Sequence, residues 1–494
     1  MGNTPHCPEN GEQIPGSCAI PLPRGDETAT RLAMRYARAF SQAFKETQYV
    51  VFCGVTAPLA QAITLGAWIA GHPVAFINPS YTKIQLNEVL SQLGTSLKIG
   101  TPDCLAFLEN KQDWLATDPE EEEQNNLADW LKKYANEDAI VPHEWQDNEC
   151  ALVIFTSGST GVPKGGRHSI GNLTRSTELF IRKYSIDQHD RMLTTAPLNT
   201  LCGVRASILT PLLSGCQLIE SPKSSQYEDA LDIFHRERPT ICVSGPILFR
   251  QMAMLSEKLE DELSSVRILL SFGAKLDRNS RVRLWEKHRV PVLDVYSMTE
   301  TSVAIGEDIA QYKPELDIIG QPFPGIKVEL VEVPGGSGPE LRLGQIRIYS
   351  PNLFLGYLGE PLARKRYFDT GDLGARNEAG NFSLKGRLDH GVKATSGLWL
   401  FHQAVEQLLA NRSDVADAYV RSEYDKYDRG ALRAKVVPIN LETADDGWLA
   451  TLSQDIEDQL GPDYKAVKIE IASEIKRTAL GKIIKEAGQS TNGR

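Results

Sequence analysis

Ala151-Leu152-Val153-Ile154-Phe155 runs without interruption into Thr156-Ser157-Gly158-Ser159-Thr160-Gly161-Val162-Pro163-Lys164-Gly165, and the reading of the chain starts there. Five apolar residues read as a buried strand. What leaves the strand carries three glycines, four hydroxyl residues and one lysine. Glycine lets backbone N–H groups approach an anion, the hydroxyls add rotatable donors, and Lys164 adds positive charge. This is the chemistry of a grip on nucleotide phosphates. The spacing departs from GxxxxGK[ST], because Gly165 follows Lys164 where that pattern needs a hydroxyl beside Mg²⁺, so kinase and GTPase readings weaken. Taken alone, such a stretch is also an ordinary surface loop.

Outward from this segment the pattern is α/β. Arg31–Glu46 reads as an amphipathic helix, Tyr49–Val55 as a buried strand, Ala57–Ala70 as a helix and Pro73–Asn78 as a further strand. No charge occurs between Thr47 and Thr82. A membrane span needs about 20 mostly apolar residues, and Gln61, Gly71 and His72 interrupt this run, so a soluble βαβ unit is the better reading. The polar stretch Asn110–Val141, with its acidic run Glu120–Glu123, reads as a solvated loop and helix. Further on, strands at Val266–Leu270 and Val290–Val295 flank a helix at Arg278–Lys287. Pro334-Gly335-Gly336-Ser337-Gly338-Pro339 reads as a turn in an antiparallel piece. The last hundred or so residues hold a helix at Phe401–Leu409, a strand at Leu432–Val437, an acidic helix at Gly447–Leu460 and a strand at Ala466–Ala472. They form a separate small α+β domain.

Composition limits the function classes. The chain has 494 residues, 41% hydrophobic and 24% charged, with 39 Gly and 27 Pro in no periodic arrangement, so it is globular rather than disordered or collagen-like. A formal charge of −11 disfavours nucleic acid as the main partner, while leaving room for a local anion site. The eight cysteines show no CxxC pair, and reduced thiols are expected, the Cys7–Cys18 interval included. No secretory leader, lipidation motif or membrane span is read, which points to a cytoplasmic protein. No HExxH motif or compact histidine set calls for zinc. His168 reads as structural or supporting the phosphate loop.

Four further strings follow in order: Tyr296-Ser297-Met298-Thr299-Glu300, Tyr367-Phe368-Asp369-Thr370-Gly371-Asp372-Leu373, Gly386-Arg387-Leu388-Asp389 and Arg477-Thr478-Ala479-Leu480-Gly481-Lys482-Ile483. With Thr156–Gly165 they make the chain, from roughly Arg31 to Lys485, resemble the adenylate-forming superfamily of acyl- and aryl-CoA synthetases, luciferases and peptide-synthetase adenylation domains. The resemblance implies a large N-terminal α/β domain with layered sheets, residues 1–388, and a small mobile α+β lid, residues 389–494, turning about Asp389. It implies ATP and Mg²⁺ as cofactors and a small carboxylic acid as substrate. The acyl acceptor would be coenzyme A, presented by Gly391–Gly397, or the phosphopantetheine of a carrier protein. An inactive nucleotide-binding protein that kept the fold is the remaining alternative.

Each residue type has a chemical reason and a bland counterpart. Glu300 offers a hard carboxylate oxygen to Mg²⁺ and Thr299 a donor to the α-phosphate; the alternative for Glu300 is a helix-start cap. Asp372 accepts from ribose hydroxyls and Arg387 donates to the nucleotide, where each alone is an ordinary turn ion pair. Tyr296 stacks on adenine or packs as half-buried core, and Asp294 accepts from the adenine amine or plays a structural part. The resemblance adds Gly273 and Ala274 to the nucleotide site. Lys482 brings a flexible ammonium between two anions, the attacking carboxylate and the α-phosphate, against a bland reading as part of a basic terminus.

Ala196-Pro197-Leu198-Asn199-Thr200-Leu201-Cys202-Gly203 is similar to the substrate-side segment of acyl-CoA ligases, with Thr200 where histidine often stands. Asn199 or Thr200 is then available to a polar substrate, and the segment lacks the aspartate that holds an α-ammonium group in amino-acid adenylation domains. Phe272 and Val295 stand where many relatives have glycine; they narrow the pocket toward a short or flat acid, or are routine core. Arg205 reads as a selector for a second substrate carboxylate or, more simply, as a helix-surface ion pair. Cys202 reads as a packing residue.

Overall fold

Apolar runs too short for helices and free of charge become the central strands, and helices with one wet face cover them. The computed structural model describes residues 17–18, 20, 27–105, 111–117, 126–136, 138–156, 162–219, 227–256, 259, 263–333, 343–362, 366–388, 391–393, 399–424 and 430–475. The chain divides into two compact units, residues 1–175 with 354–363 and residues 176–353 with 364–494.

The first unit is built on six strands: β1 Tyr49–Cys53, β2 Val74–Ile77, β3 Ser96–Gly100, β4 Trp114–Ala116, β5 Leu152–Thr156 and β6 Lys164–His168. Their spatial order is β4-β3-β1-β2-β5-β6, parallel except for β6, which runs antiparallel to β5. The uncharged stretch resolves into β1, the helix Ala57–Ile69 and β2, as the sequence predicts. That helix is buried along most of its length, its Trp68 indole donating to Ala151 O at 2.8 Å. At Gly66 a Cβ would lie 2.5 Å from Tyr36 Cβ, so glycine lets the helix Glu27–Ala43 pack closely. Among the described residues no helix is long and apolar enough to cross a membrane.

The second unit holds β7 Arg191–Thr194, β8 Gln217–Ile219, β9 Ile241–Ser244, β10 Ile268–Phe272, β11 Val292–Met298, β12 Ser302–Gly306 and β13 Gln321–Pro322. The order is β8-β7-β9-β10-β11-β12-β13; the first five are parallel and the last two antiparallel. The helix Arg278–His288 crosses from β10 to β11, its first turn capped by the Asp277 side chain, which accepts from Ser280 N at 2.8 Å. An antiparallel sheet follows: β14 Lys327–Val331, β15 Gly344–Tyr349, β16 Tyr367–Arg376 and β17 Phe382–Arg387. Its Ile346, Ile348 and Phe382 share one core with Phe180, Phe272 and Val295.

Beyond it lie the paired β18 Gly391–Lys393 and β19 Trp399–Phe401, the helices His402–Ala410 and Asp446–Leu460, and a sheet of β20 Val415–Tyr424, β21 Gly430–Pro438 and β22 Lys468–Ile471. Leu400, Val405, Leu409, Val420, Ala434, Leu452 and Ile456 form their own core. The α/β class, with layered sheets in a large N-terminal part and a smaller α+β C-terminal part, is the one expected. Glu120–Glu123, Pro334–Pro339, Asp389 and Lys482 lie outside the described residues. Cys53, Cys104, Cys150, Cys202, Cys216 and Cys242 are free thiols.

Candidate active site

The phosphate segment is spanned by a hairpin. Thr156, the last residue of β5, faces Lys164, the first of β6, and its hydroxyl donates to Lys164 O at 3.4 Å. Ser157, Ser159, Thr160 and the glycines 158 and 161 fall between them, outside the described residues. A strand leading into the loop is legible in the sequence; the strand leading out, Lys164-Gly165-Gly166-Arg167-His168, is not, since two glycines weaken β-propensity. Gly165 is fixed by packing: a Cβ there would lie 2.6 Å from Leu358 Cδ1 and 2.9 Å from Val153 Cγ1. Lys164 is exposed, with Nζ 5.4 Å from the Tyr357 ring centroid. His168 is buried on β6.

In the second unit three residues singled out separately come together. Asp372 on β16 lies opposite Arg387 on β17, and Arg387 Nη1 donates to Asp372 Oδ1 at 3.1 Å. Tyr296 on β11 donates its hydroxyl to Asp372 Oδ2 at 2.5 Å. The ordinary ion pair weighed for Asp372 and Arg387 is thus present, joined by the Tyr296 hydroxyl. Tyr296 is buried. Burial, reinforced by the Asp372 charge, holds its hydroxyl well above the usual tyrosine range and keeps it a donor.

Three residues past Tyr296, Thr299-Glu300-Thr301 turn β11 back into β12, with Met298 paired to Ser302. Glu300 is buried in this turn. No helix begins there, so the helix-start cap is not its role. Mg²⁺ keeps several waters and phosphate oxygens, so one protein carboxylate fits it. Ser302 has φ 60, a left-handed backbone that non-glycine residues adopt at a cost of about 1 kcal/mol.

Asp294 sits in a buried ionic cluster. Arg281 Nη1 is 3.6 Å from its Oδ2, Leu276 N donates to Oδ1 at 3.4 Å, and Glu307 ties in through Arg281 Nη2 at 2.6 Å and Asp294 N at 2.8 Å. Burial raises the Asp294 carboxyl against the pull of Arg281 and Lys275. This is the structural part weighed for it. Arg281 and Glu307 were not singled out from sequence; an arginine on a polar helix carries no burial signal. Gly273, at φ 87, and Ala274 are exposed just past β10. Phe272 and Val295 face each other across β10 and β11, both buried, with Phe272 5.9 Å from the Phe180 ring. Their role as core packing is visible.

Thr200 opens the short helix Leu201–Val204: its hydroxyl accepts from Gly203 N at 3.0 Å and donates to Pro197 O at 2.8 Å. Its proton goes to Pro197 O and its oxygen to the cap; Asn199 beside it is half-buried. The helix continues as a π-helical stretch, Arg205–Leu209. Arg205 is 1% exposed, so the surface ion pair expected for it is not what forms. Its Nη2 donates to the Ser302 hydroxyl, while Nε and Nη1 have no acceptor among the described residues. The apolar turn of helix around it carries the side chain inward. Burial draws its pKa down to about 10 and pushes the Cys202 thiol up to about 12, which leaves Cys202 neutral and unsuited to attack.

The sequence matches the family model for AMP-binding enzymes over residues 27–358, more than half of the chain. The protein belongs to the AMP-binding enzyme family. It is 26% identical over 341 residues to an indoleacetate–CoA ligase of Aromatoleum aromaticum, covering 68% of this chain and 66%, just under two thirds, of that relative. It is 25% identical over 428 residues to a 2-succinylbenzoate–CoA ligase of Enterococcus faecalis, covering 85% of this chain and 84% of the relative. The fold is shared with the crystal structure of the anthranilate CoA ligase AuaEII in complex with anthranoyl-AMP, at TM-score 0.82 and 19% identity over 92% of this chain and 89% of that one.

Proposed function

We propose that the protein is an ATP- and Mg²⁺-dependent carboxylic acid ligase of the AMP-forming type, which makes an acyl-adenylate and transfers the acyl group to coenzyme A. The observation that carries the reading is the Tyr296–Asp372–Arg387 cluster, whose Tyr296 stands three residues ahead of the Thr299–Glu300 turn, in a chain of the AMP-binding family. Asp372, oriented by Tyr296 and Arg387, accepts from the ribose hydroxyls. Gly273 and Ala274 lie along the adenine. Lys164, Thr156 and the loop residues 157–161 hold the β- and γ-phosphates. Glu300 would hold Mg²⁺ together with ATP, and the ion would supply positive charge to the phosphates.

In the first half-reaction a carboxylate oxygen of the substrate attacks the α-phosphorus and pyrophosphate departs. Thr299 donates to the α-phosphate, and Lys482 sits between the two anions as their charges merge. In the second, a thiol sulfur attacks the acyl carbon and AMP leaves. Residues 389–494 form the lid that carries Lys482 to the site, with the boundary at 388 and 389.

Transfer to a carrier-protein phosphopantetheine is the second reading, and Thr200 favours keeping it: with a helix cap in place of the titratable histidine, the thiol step has no family-standard side chain at this position. The test of the shared first step is acid-dependent exchange of pyrophosphate into ATP over short aliphatic, aromatic, dicarboxylic and amino acids. The proposal expects one class to raise exchange strongly. Silence across the panel with ATP binding intact contradicts it and favours the inactive binding protein. A thiol assay with coenzyme A and a carrier protein then separates the two acceptors.

A further inference from the structure

Arg205, two residues past the Ala196–Gly203 segment, has its bonding incomplete by a wide margin. A guanidinium carries five N–H donors and no acceptor. Here it is 1% exposed, and the single acceptor it meets among the described residues is the Ser302 hydroxyl. Nε–H and both N–H groups of Nη1 have none. Among the described residues no Asp or Glu forms an ion pair with it; Val204, Ala206, Ile208 and Leu209 around it are buried and apolar, and Ser207 and Thr210 are the buried polar residues of the same stretch. Native structures rarely leave buried donors in this state, and the exceptions call for a role.

Two features of the backbone converge on the same residue. Arg205 begins a π-helical stretch, a form that costs hydrogen-bond geometry and is enriched at functional sites. Its partner Ser302 holds a left-handed backbone immediately after the Thr299-Glu300-Thr301 turn. The segment leading to it, Ala196–Gly203, is fixed against Pro197 O by the Thr200 cap.

We propose that Arg205 receives a second carboxylate of the acid substrate, distal to the one that is adenylated, so that the enzyme acts on dicarboxylic acids. A carboxylate supplies two coplanar oxygens that match an edge of the guanidinium bidentately. Ser302 orients the fork by taking one N–H. The inference rests on the ligase reading above and adds the substrate class to it.

The test uses the full-length enzyme and pyrophosphate exchange with matched pairs, each short aliphatic or aromatic dicarboxylic acid beside its monoamide, which has the same shape without the second charge. The wild-type enzyme is expected to prefer a diacid over its monoamide by about a hundredfold or more in kcat/KM, since a site built for a polar partner rejects the analogue lacking it. Arg205→Met is expected to bring that ratio close to one, and Arg205→Lys to leave it in between, because a point charge keeps attraction without the fork. The wild-type ratio stands as a test even where Arg205→Met fails to fold. Wild-type preference for monoamides or simple monoacids overturns the proposal and leaves the ligase reading intact. A loss in Arg205→Met that is equal for every acid places the guanidinium on the nucleotide and also overturns it. Silence with every acid while ATP still binds contradicts both readings.

Discussion

Asp372 gathers two donors from two strands, the Tyr296 hydroxyl at 2.5 Å and Arg387 Nη1 at 3.1 Å, and this fixes the plane of its carboxylate. Replacing it with Asn keeps size and removes charge. Asp372→Asn is expected to lower kcat/KM for ATP by roughly 10–100-fold, the scale of lost hydrogen bonds to a charged acceptor, with little change in thermal midpoint. Initial rates of exchange against ATP concentration measure it, and an unchanged KM for ATP would remove Asp372 from the ribose site. Asp372, Arg387 and Glu300 were legible because short strings of residues carry them. Arg205 was less so: its segment gives no periodicity that tells an inward arginine from an outward one, and charge argues for the surface. Its burial depends on Ser302, ninety-seven positions away, and on a backbone angle that no residue type announces.

The elements obey simpler rules, and most could be read in advance. Tyr49–Cys53, Val74–Ile77 and Val292–Met298 are charge-poor runs that must be buried, and Asp294 in the last is matched by Arg281. The strand Val415–Tyr424 escaped notice because Asp417, Arg421 and Glu423 dilute its apolar pattern on the wet face. Two elements give sharp tests. In the turn before the π-helical stretch, a Cβ on Gly203 would collide with the Pro197 carbonyl. Gly203→Ala is expected to destabilise by about 3 kcal/mol, since backbone cannot yield as a side chain does; denaturant unfolding reads this directly. At the start of β7, Arg267 donates to both oxygens of Asp190 at 2.9 and 2.8 Å, and Thr240 adds a bond at 2.7 Å. Burial pushes the Asp190 carboxyl up, but these bonds outweigh it and hold the pKa below the usual value. The folded state therefore binds this proton less readily than the unfolded one. The stabilisation is complete above the ordinary aspartate pKa of about 4 and is lost as pH falls through the lower folded value. Asp190→Asn is expected to cost about 2 kcal/mol at pH 7, with the gap to wild type closing toward pH 3.

At the scale of the molecule, the C-terminal residues bury a hydrophobic core of their own around Val405, Val420 and Leu452. In the proposed mechanism the catalytic group they carry is Lys482. Lys482→Ala is expected to cut acid-dependent exchange by roughly 10²–10³-fold, the scale for removing one charge-stabilising donor, while leaving ATP affinity within a few-fold. Equal losses in both would assign it to binding alone. The central claim is that acid oxygen becomes bonded to the α-phosphorus of ATP, and isotope transfer tests it most directly. The acid that supports exchange is labelled with ¹⁸O in its carboxylate and turned over with ATP and the thiol, and the nucleotide product is weighed. The account predicts AMP carrying one ¹⁸O from the acid. Unlabelled AMP, or ADP in its place, would contradict it.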